Sequence, residues 1–219
     1  MKLLAFDTST EACSAALLDD GEINSQFEVA PRRHTELILP MIDQLLAGGE
    51  CRLSDLDAIA FGRGPGAFTG VRIAAGIAQG LAFSSDLPVI PVSSLATLAQ
   101  AVTNNADFIA AAIDARMHEV YFGLYKSGEV VTLVDEERVI APDEISIDNI
   151  TGCYGAGSGW ITYESILKNR LGDRLQGYEG ARYPDAKAML AIAVQEFRNG
   201  NLHKPEEAIP VYLRDKVTG

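Results

Sequence analysis

Cysteine is scarce in this 219-residue chain, and Cys13, Cys51 and Cys153 are odd in number, far apart and without a CxxC pair. That excludes a disulfide framework and points to a reduced, cytosolic protein. Basic charge is also short. Eighteen Lys and Arg stand against thirty Asp and Glu, giving a formal net charge of −12, and the densest basic stretch is PRRH at 31–34. A protein that grips nucleic acid unaided neutralises phosphates with a basic face. Autonomous RNA binding is therefore not expected, although a partner could supply it. Long apolar runs are missing. The run LLAF before Asp7 is too short for a signal peptide, and nothing later is long enough to span a membrane. His34, His118 and His203 are scattered, with no HxxxH or HExxH pair and no GxSxG elbow, so neither a zinc site nor a serine nucleophile is indicated.

What the chain does contain is a duplication. DTSTEACSAALLDDGEI starts at Asp7 and DARMHEVYFGLYKSGEV at Asp114, and Asp, Leu, Gly, Glu and a β-branched residue recur at the same offsets. Each segment follows an apolar strand, KLLAF or DFIAAAI, and each Gly-Glu stands where a hairpin would turn. The glycines Gly62, Gly64 and Gly66 follow the strand LDAIAF (56–61). Gly155, Gly157 and Gly159 follow TGCY (151–154) in the same way. These matches predict an α/β fold of two related halves, 1–106 and 107–219, with the last segment free to pack back on the first half. Each half reads as strand, hairpin strands, helix, strand, glycine turn and helix.

Four helices are legible. HTELILPMIDQLL (34–46) places Leu37, Ile38, Met41, Ile42 and Leu45 on one side, and Pro40 predicts a late start or a kink. Ser93 caps a helix over 93–102, and Asp185 and Asn199-Gly200 bracket another. The helix from Thr69 to Phe83 is unusual, because Arg72 and Gln79 are almost its only polar side chains. It is expected to be covered on all sides. Gly76 and Gly80, one turn apart, cost about 1 kcal/mol each against alanine, which close approach of another helix would offset. That helix could be internal or belong to another protein.

The chemical signals are weaker. Asp7 with the hydroxyls of Thr8, Ser9 and Thr10 could serve a Mg²⁺-phosphate, with Gly155 and Gly157 beside a nucleoside; Asp7 could equally cap a turn. The glycine loop at 62–70 fits neither a P-loop nor a GxGxxG fingerprint. Asp114, Arg116 and Glu119 form a charged cluster that reads as a site or a salt-bridged turn.

FDTST, GPGAFTGVRIAAGIAQGLA, PVSSLATLA, DARMHEVY and PVYLRDK together resemble the TsaB (YeaZ) family over essentially the whole chain. The resemblance implies the actin-like/Hsp70-like/sugar-kinase (ribonuclease H-like) fold. It also implies a non-catalytic scaffold that dimerises with the paralogue TsaD, works with the ATPase TsaE and meets tRNA mainly through the complex, or pairs with itself when alone. The reaction served would be threonylcarbamoyl transfer to N6 of the adenosine 3′ of the anticodon. Where TsaD carries a metal-binding HxxxH after a PV strand end, this chain has Ser94 and Leu98. No metal and no required cofactor is implied, with ATP or ADP at most near the partner interface. The family's dimer surface maps onto Leu37, Met41, Leu45, Arg72, Ala75, Gly76, Ala78, Gln79 and Gly80, so Ala78→Arg is expected to abolish pairing without unfolding the chain. One departure is His118, where the family pattern has glycine, which leaves the role of Asp114 and Arg116 open. The competing expectation is an autonomous ATPase or kinase using Asp7, Thr8, Thr10 and the 155–159 turn; a protease is the weakest.

Overall fold

The computed structural model describes residues 1–103, 105–147 and 150–214. Asp215 and Lys216 of the PVYLRDK stretch lie outside these residues. The first sheet is built from β1 (Lys2–Asp7), β2 (Ala12–Asp19), β3 (Glu22–Val29), β4 (Ala58–Gly64) and β5 (Val89–Ser93), in the order β3-β2-β1-β4-β5. β1 to β3 are antiparallel neighbours, whereas β4 and β5 run parallel to β1. The second sheet uses β6 (Phe108–Asp114), β7 (Val120–Lys126), β8 (Thr132–Leu133), β9 (Arg138–Ile140), β10 (Cys153–Ala156) and β11 (Leu175–Glu179). Its order is β11-β10-β6-β7-β8, with β9 also on β7. Read from the other edge, this is the same order as the first sheet, with the third strand split in two. The repeat found in the sequence is therefore a repeat of topology, and the fold is the duplicated actin-like, ribonuclease H-like one.

The first hairpin turns at Asp20-Gly21, with φ of 46° and 100°, the left-handed pair that a tight two-residue turn requires. The helices are α1 (His34–Gly48), α2 (Phe68–Ser85), α3 (Ser94–Ala101), α4 (Gly159–Thr162), α5 (Glu164–Leu171) and α6 (Ala186–Asn199). α1 does not start late; it begins at His34 and runs through Pro40. Ser93 caps α3, its hydroxyl accepting from the N–H groups of Leu95 and Ala96 at 3.1 and 3.2 Å. Asp185 caps α6, and Gly200 ends it at φ 75°. Among the described residues the second half has no counterpart of α1. A single turn of 3-10 helix, Pro142–Glu144, stands in its place.

Each helix that follows a fifth strand packs on the other half. Leu95, Leu98 and Ala99 of α3 join a core with Ile109, Ala111 and Ile113 of β6. Ala186, Met189, Leu190 and Ala193 of α6 join Leu3, Ala5 and Ile90 of the first sheet. A cut at 106/107 thus separates the sheets but not the cores.

α1 and α2 cover the opposite face of the first sheet. Met41, Leu45, Ala75 and Ala78 are buried there with Leu4, Phe6, Ile59 and Phe61. Ala78 has no exposed surface, which corrects the expectation drawn for it above. A guanidinium at that position must enter a core that is already filled and leave its charge without a partner. Ala78→Arg is expected to unfold the chain rather than spare it, at a cost above about 3 kcal/mol. Circular dichroism melting of the isolated variant checks this; a native spectrum and an unchanged midpoint would contradict it.

Candidate functional site

The start of α2 is seated on the turn after β1. A Cβ on Gly66 would meet the carbonyl oxygen of Ser9, and one on Gly70 the carbonyl oxygen of Thr8. Two bonds hold this approach. Ala67 N–H donates to Ser9 O at 2.7 Å, and the Thr8 hydroxyl donates to Gly70 O at 2.7 Å. The glycine loop is therefore a backbone-to-backbone packing device, and Thr8 is spent on it. Seated this way, α2 turns Val71, Ala74, Ala75, Ala78 and Ala82 inward.

The opposite stripe is open. Thr69, Arg72, Gly76, Gly80 and Phe83 are exposed, with Ile73, Ile77 and Gln79 half-buried beside them. Phe83 is 80% exposed and Phe68 62%. On α1, Leu39 is exposed and Leu37 half-buried. Of the nine residues assigned to a partner surface from sequence, Arg72, Gly76 and Gly80 lie fully on this face, and Leu37 and Gln79 at its edge. Met41, Leu45, Ala75 and Ala78 are core. The helix is not covered all round by its own chain. Among the described residues a Cβ at Gly76 or at Gly80 meets nothing within 4 Å, so no described neighbour accounts for either glycine. Gln79 ties the face to the C-terminal segment, its side-chain amide donating to Ala208 O at 3.0 Å. Phe68, Phe83 and Leu39 were missed because inner and outer stripes carry the same small and apolar residue types. Arg72, Gln79 and the glycines at 76 and 80 are the marks that set the outer stripe apart.

Behind this face lies a cleft of about 260 Å³ between the two sheets, lined by the turns Ser9–Glu11 and Asp114–Met117 and by Val211–Arg214. Asp7 does not line it and is buried at the end of β1. One oxygen accepts from the Ser9 N–H at 2.7 Å and the Ser9 hydroxyl at 2.6 Å, and the other accepts from the Ser94 hydroxyl at 3.0 Å. Burial pushes the Asp7 carboxyl above its ordinary range, opposed by the hydrogen bonds from Ser9 and Ser94. Thr10 is buried as well, its hydroxyl accepting weakly from Ala12 N–H at 3.4 Å. The phosphate reading of Asp7 and Thr8 thus meets groups already bonded within the chain, and Thr10 holds only its one weak bond.

Gly155 and Gly157 are also used internally. A Cβ on Gly155 would strike the Trp160 ring, which is fully buried and donates its indole N–H to Ala110 O at 2.9 Å. Gly157 sits at φ 107° against Ala112 O. The chain's own tryptophan fills the space beside Gly155, and Ala112 and Leu98 fill that beside Gly157. The Asp114 cluster is a salt-bridged turn: Arg116 pairs with Asp114 at 3.0 Å and approaches Glu11 across the cleft at 3.7 Å.

The donors for a metal are wrong. Ser94 is bonded to Asp7, and Leu98 is buried in the second core. Among the described residues no group of three or more His, Cys, Asp or Glu side chains could hold a metal ion. His34 is bonded through Nε2 to Thr10 O at 2.8 Å. Burial raises the Cys13 thiol to about 12 and the Cys153 thiol to about 11, which leaves neither as a thiolate nucleophile at neutral pH. Among the described residues, no helix is long and apolar enough to cross a membrane.

Comparison with known proteins agrees with this arrangement. The family described as "TsaD: tRNA N6-adenosine threonylcarbamoyltransferase" matches residues 22–218. The chain is 44% identical over 233 residues to the tRNA threonylcarbamoyladenosine biosynthesis protein TsaB of Haemophilus influenzae, covering 100% of this chain and 95% of that one. It is 44% identical over 229 residues to the TsaB protein of Escherichia coli K12, covering 99% and 96%. The solved structure of YeaZ from Pseudomonas aeruginosa superposes with a TM-score of 0.91 at 45% identity, over 97% of this chain and 99% of that one. With the glycine-seated α2, the duplicated sheets and this full-length similarity, the chain belongs to the TsaB (YeaZ) family, within the wider TsaD family.

Proposed function

We propose that this chain is a scaffold subunit in tRNA threonylcarbamoyladenosine biosynthesis. It docks the open face of α1 and α2 on TsaD, supports threonylcarbamoyl transfer to N6 of the adenosine 3′ of the anticodon, and provides a platform to which TsaE is recruited. The observation that carries this reading is the pair Gly76 and Gly80, whose missing Cβ atoms nothing within the chain requires. Glycine inside a helix costs about 1 kcal/mol against alanine. A cost repeated one turn apart on an exposed face fits a partner helix that approaches the backbone closely, with Phe83 as an apolar anchor beside it. The chain contributes no transfer chemistry of its own in this reading, since Asp7 and the 155–159 turn are engaged internally. It needs no cofactor, and ATP or ADP belongs at or near the partner interface. The acidic surface leaves tRNA contact mainly to the partner. Alone, the same face supports a homodimer.

Reconstituted transfer from threonylcarbamoyl-AMP to tRNA tests the role, with TsaD and TsaE present and this chain added or withheld. The expected outcome is a TsaD that is nearly silent without it, and no transfer by this chain alone. Equal rates with and without it would overturn the proposal.

Gly76→Leu combined with Gly80→Leu tests the face. Each new side chain has open space in the isolated chain, so its melting midpoint is expected to hold or rise. Pairing with TsaD, measured by titration calorimetry, is expected to weaken by about 100-fold or more, as when the centre of an interface is obstructed. Unchanged affinity would place the interface elsewhere.

Asp7→Asn separates the scaffold from an autonomous kinase. The folded-state carboxyl is shifted upward, so ionised Asp7 opposes folding once the pH rises above its unfolded value near 4. The amide keeps the acceptor for Ser9 and can donate to Ser94. At pH 7 the variant is expected to be at least as stable as the parent, with the difference shrinking as the pH falls toward 4. Stimulation of TsaD is expected to stay within about twofold, since no Asp7 atom reaches the docking face. A kinase or ATPase dependent on Asp7 would lose its activity.

A further inference from the structure

The end of the described chain crosses the cleft between the two halves. The Val211 N–H donates to Arg63 O at 2.8 Å, at the end of β4. Three residues on, the Arg214 guanidinium reaches the second half, where it donates to Ala115 O at 3.0 Å and pairs with Glu119. The Arg214 side chain is only 16% exposed. Between these two anchors, the Tyr212 ring lies 6.2 Å from the Phe68 ring. Arg72 completes the stack, its guanidinium 3.2 Å from the Phe68 centroid and 5.0 Å from that of Tyr212. Four residues are thus fastened to the first half, to the second half and to the start of α2.

The anchor in the second half is a turn under backbone strain. Arg116, Met117 and His118 have φ of 62°, 54° and 62° in succession. A residue with a Cβ disfavours this region, and three in a row persist only where the surroundings hold them. Within the turn, Ala115 N–H donates to Glu119 O at 3.0 Å and Arg116 N–H to the Asp114 carboxylate at 2.9 Å. Arg214 clasps both ends of the turn from outside, at Ala115 and Glu119. The Arg116–Glu11 contact across the same cleft is longer and far more exposed, and exposed pairs contribute little.

We propose that Val211–Arg214 is a strap that holds the two halves at one angle and relays the state of the 116–118 turn to the start of α2, with Arg214 as its latch. Releasing Arg214 lets the strained turn relax, and the strap then withdraws Tyr212 from the Phe68–Arg72 stack. Those two residues border the face assigned above to TsaD. The link to partner binding rests on that assignment; the strap itself does not.

Hydrogen–deuterium exchange on the isolated full chain tests it, comparing the parent with Arg214→Ala and Tyr212→Ala. In Arg214→Ala, amides of 116–119 and of 71–75 in the first hydrogen-bonded turn of α2 are expected to exchange at least about tenfold faster, while β2 and β3 stay within about twofold. Tyr212→Ala, which leaves the latch in place, is expected to loosen 71–75 alone. The proposal is overturned if Arg214→Ala changes neither segment, loosens 116–119 without 71–75, or speeds exchange uniformly along the chain. It is equally overturned if Tyr212→Ala leaves 71–75 unchanged. Because TsaD is absent from the experiment, its failure would leave the docking reading standing.

Discussion

The seating of α2, and with it the face this helix leaves open, depends on one close approach, that of the Gly66–Gly70 backbone to the carbonyl groups of Thr8 and Ser9. No side chain fits between them. That contact fixes where α2 begins and how it is rotated about its axis. Rotation decides which stripe of an almost uniformly small and apolar helix becomes core and which stays open. The same contact engages the hydroxyl of Thr8, and the neighbouring turn wraps the Asp7 carboxylate with Ser9. A glycine-rich loop that matches no phosphate-binding pattern thereby becomes the mount on which α2 is seated.

The two halves depend on each other through exchanged helices. α3 leaves the first sheet to complete the second core, and α6 returns from the second sheet to complete the first. Burying Leu95 and Leu98 in one direction and Met189 and Leu190 in the other makes the domains thermodynamically interdependent, since one face of each sheet is covered by a helix exchanged between the halves. What the exchange leaves free is the cleft edge, where the C-terminal segment binds both sides.

The charged turn at 114–119 shows how sequence and structure share an explanation. By the resemblance drawn from sequence, glycine is expected where this chain has His118, and that residue sits at φ 62°. Glycine adopts such a conformation without steric cost. The histidine is a departure at the level of sequence and a strained residue at the level of backbone, in a turn that Arg214 clasps. Arg116 is tied to Asp114 in the same turn, so the cluster is first of all a piece of structure.

The sequence by itself determined the duplication and the caps at Ser93 and Asp185. These follow from local patterns such as alternation, spacing and side-chain chemistry, which survive without knowledge of distant neighbours. It also brought out Gly76 and Gly80 as positions needing a reason. Tertiary structure alone decided that Ala75 and Ala78 are core, because α2 carries few markers of its own rotation, and that the apolar stripe of α1 with Met41 and Leu45 packs on its own sheet. It also decided that Trp160 occupies the space beside Gly155, that the third strand of the second repeat is split, and that Arg214 lands on Ala115 and Glu119 across the cleft. Each of those outcomes depends on contacts between residues far apart in the chain, which no local pattern encodes.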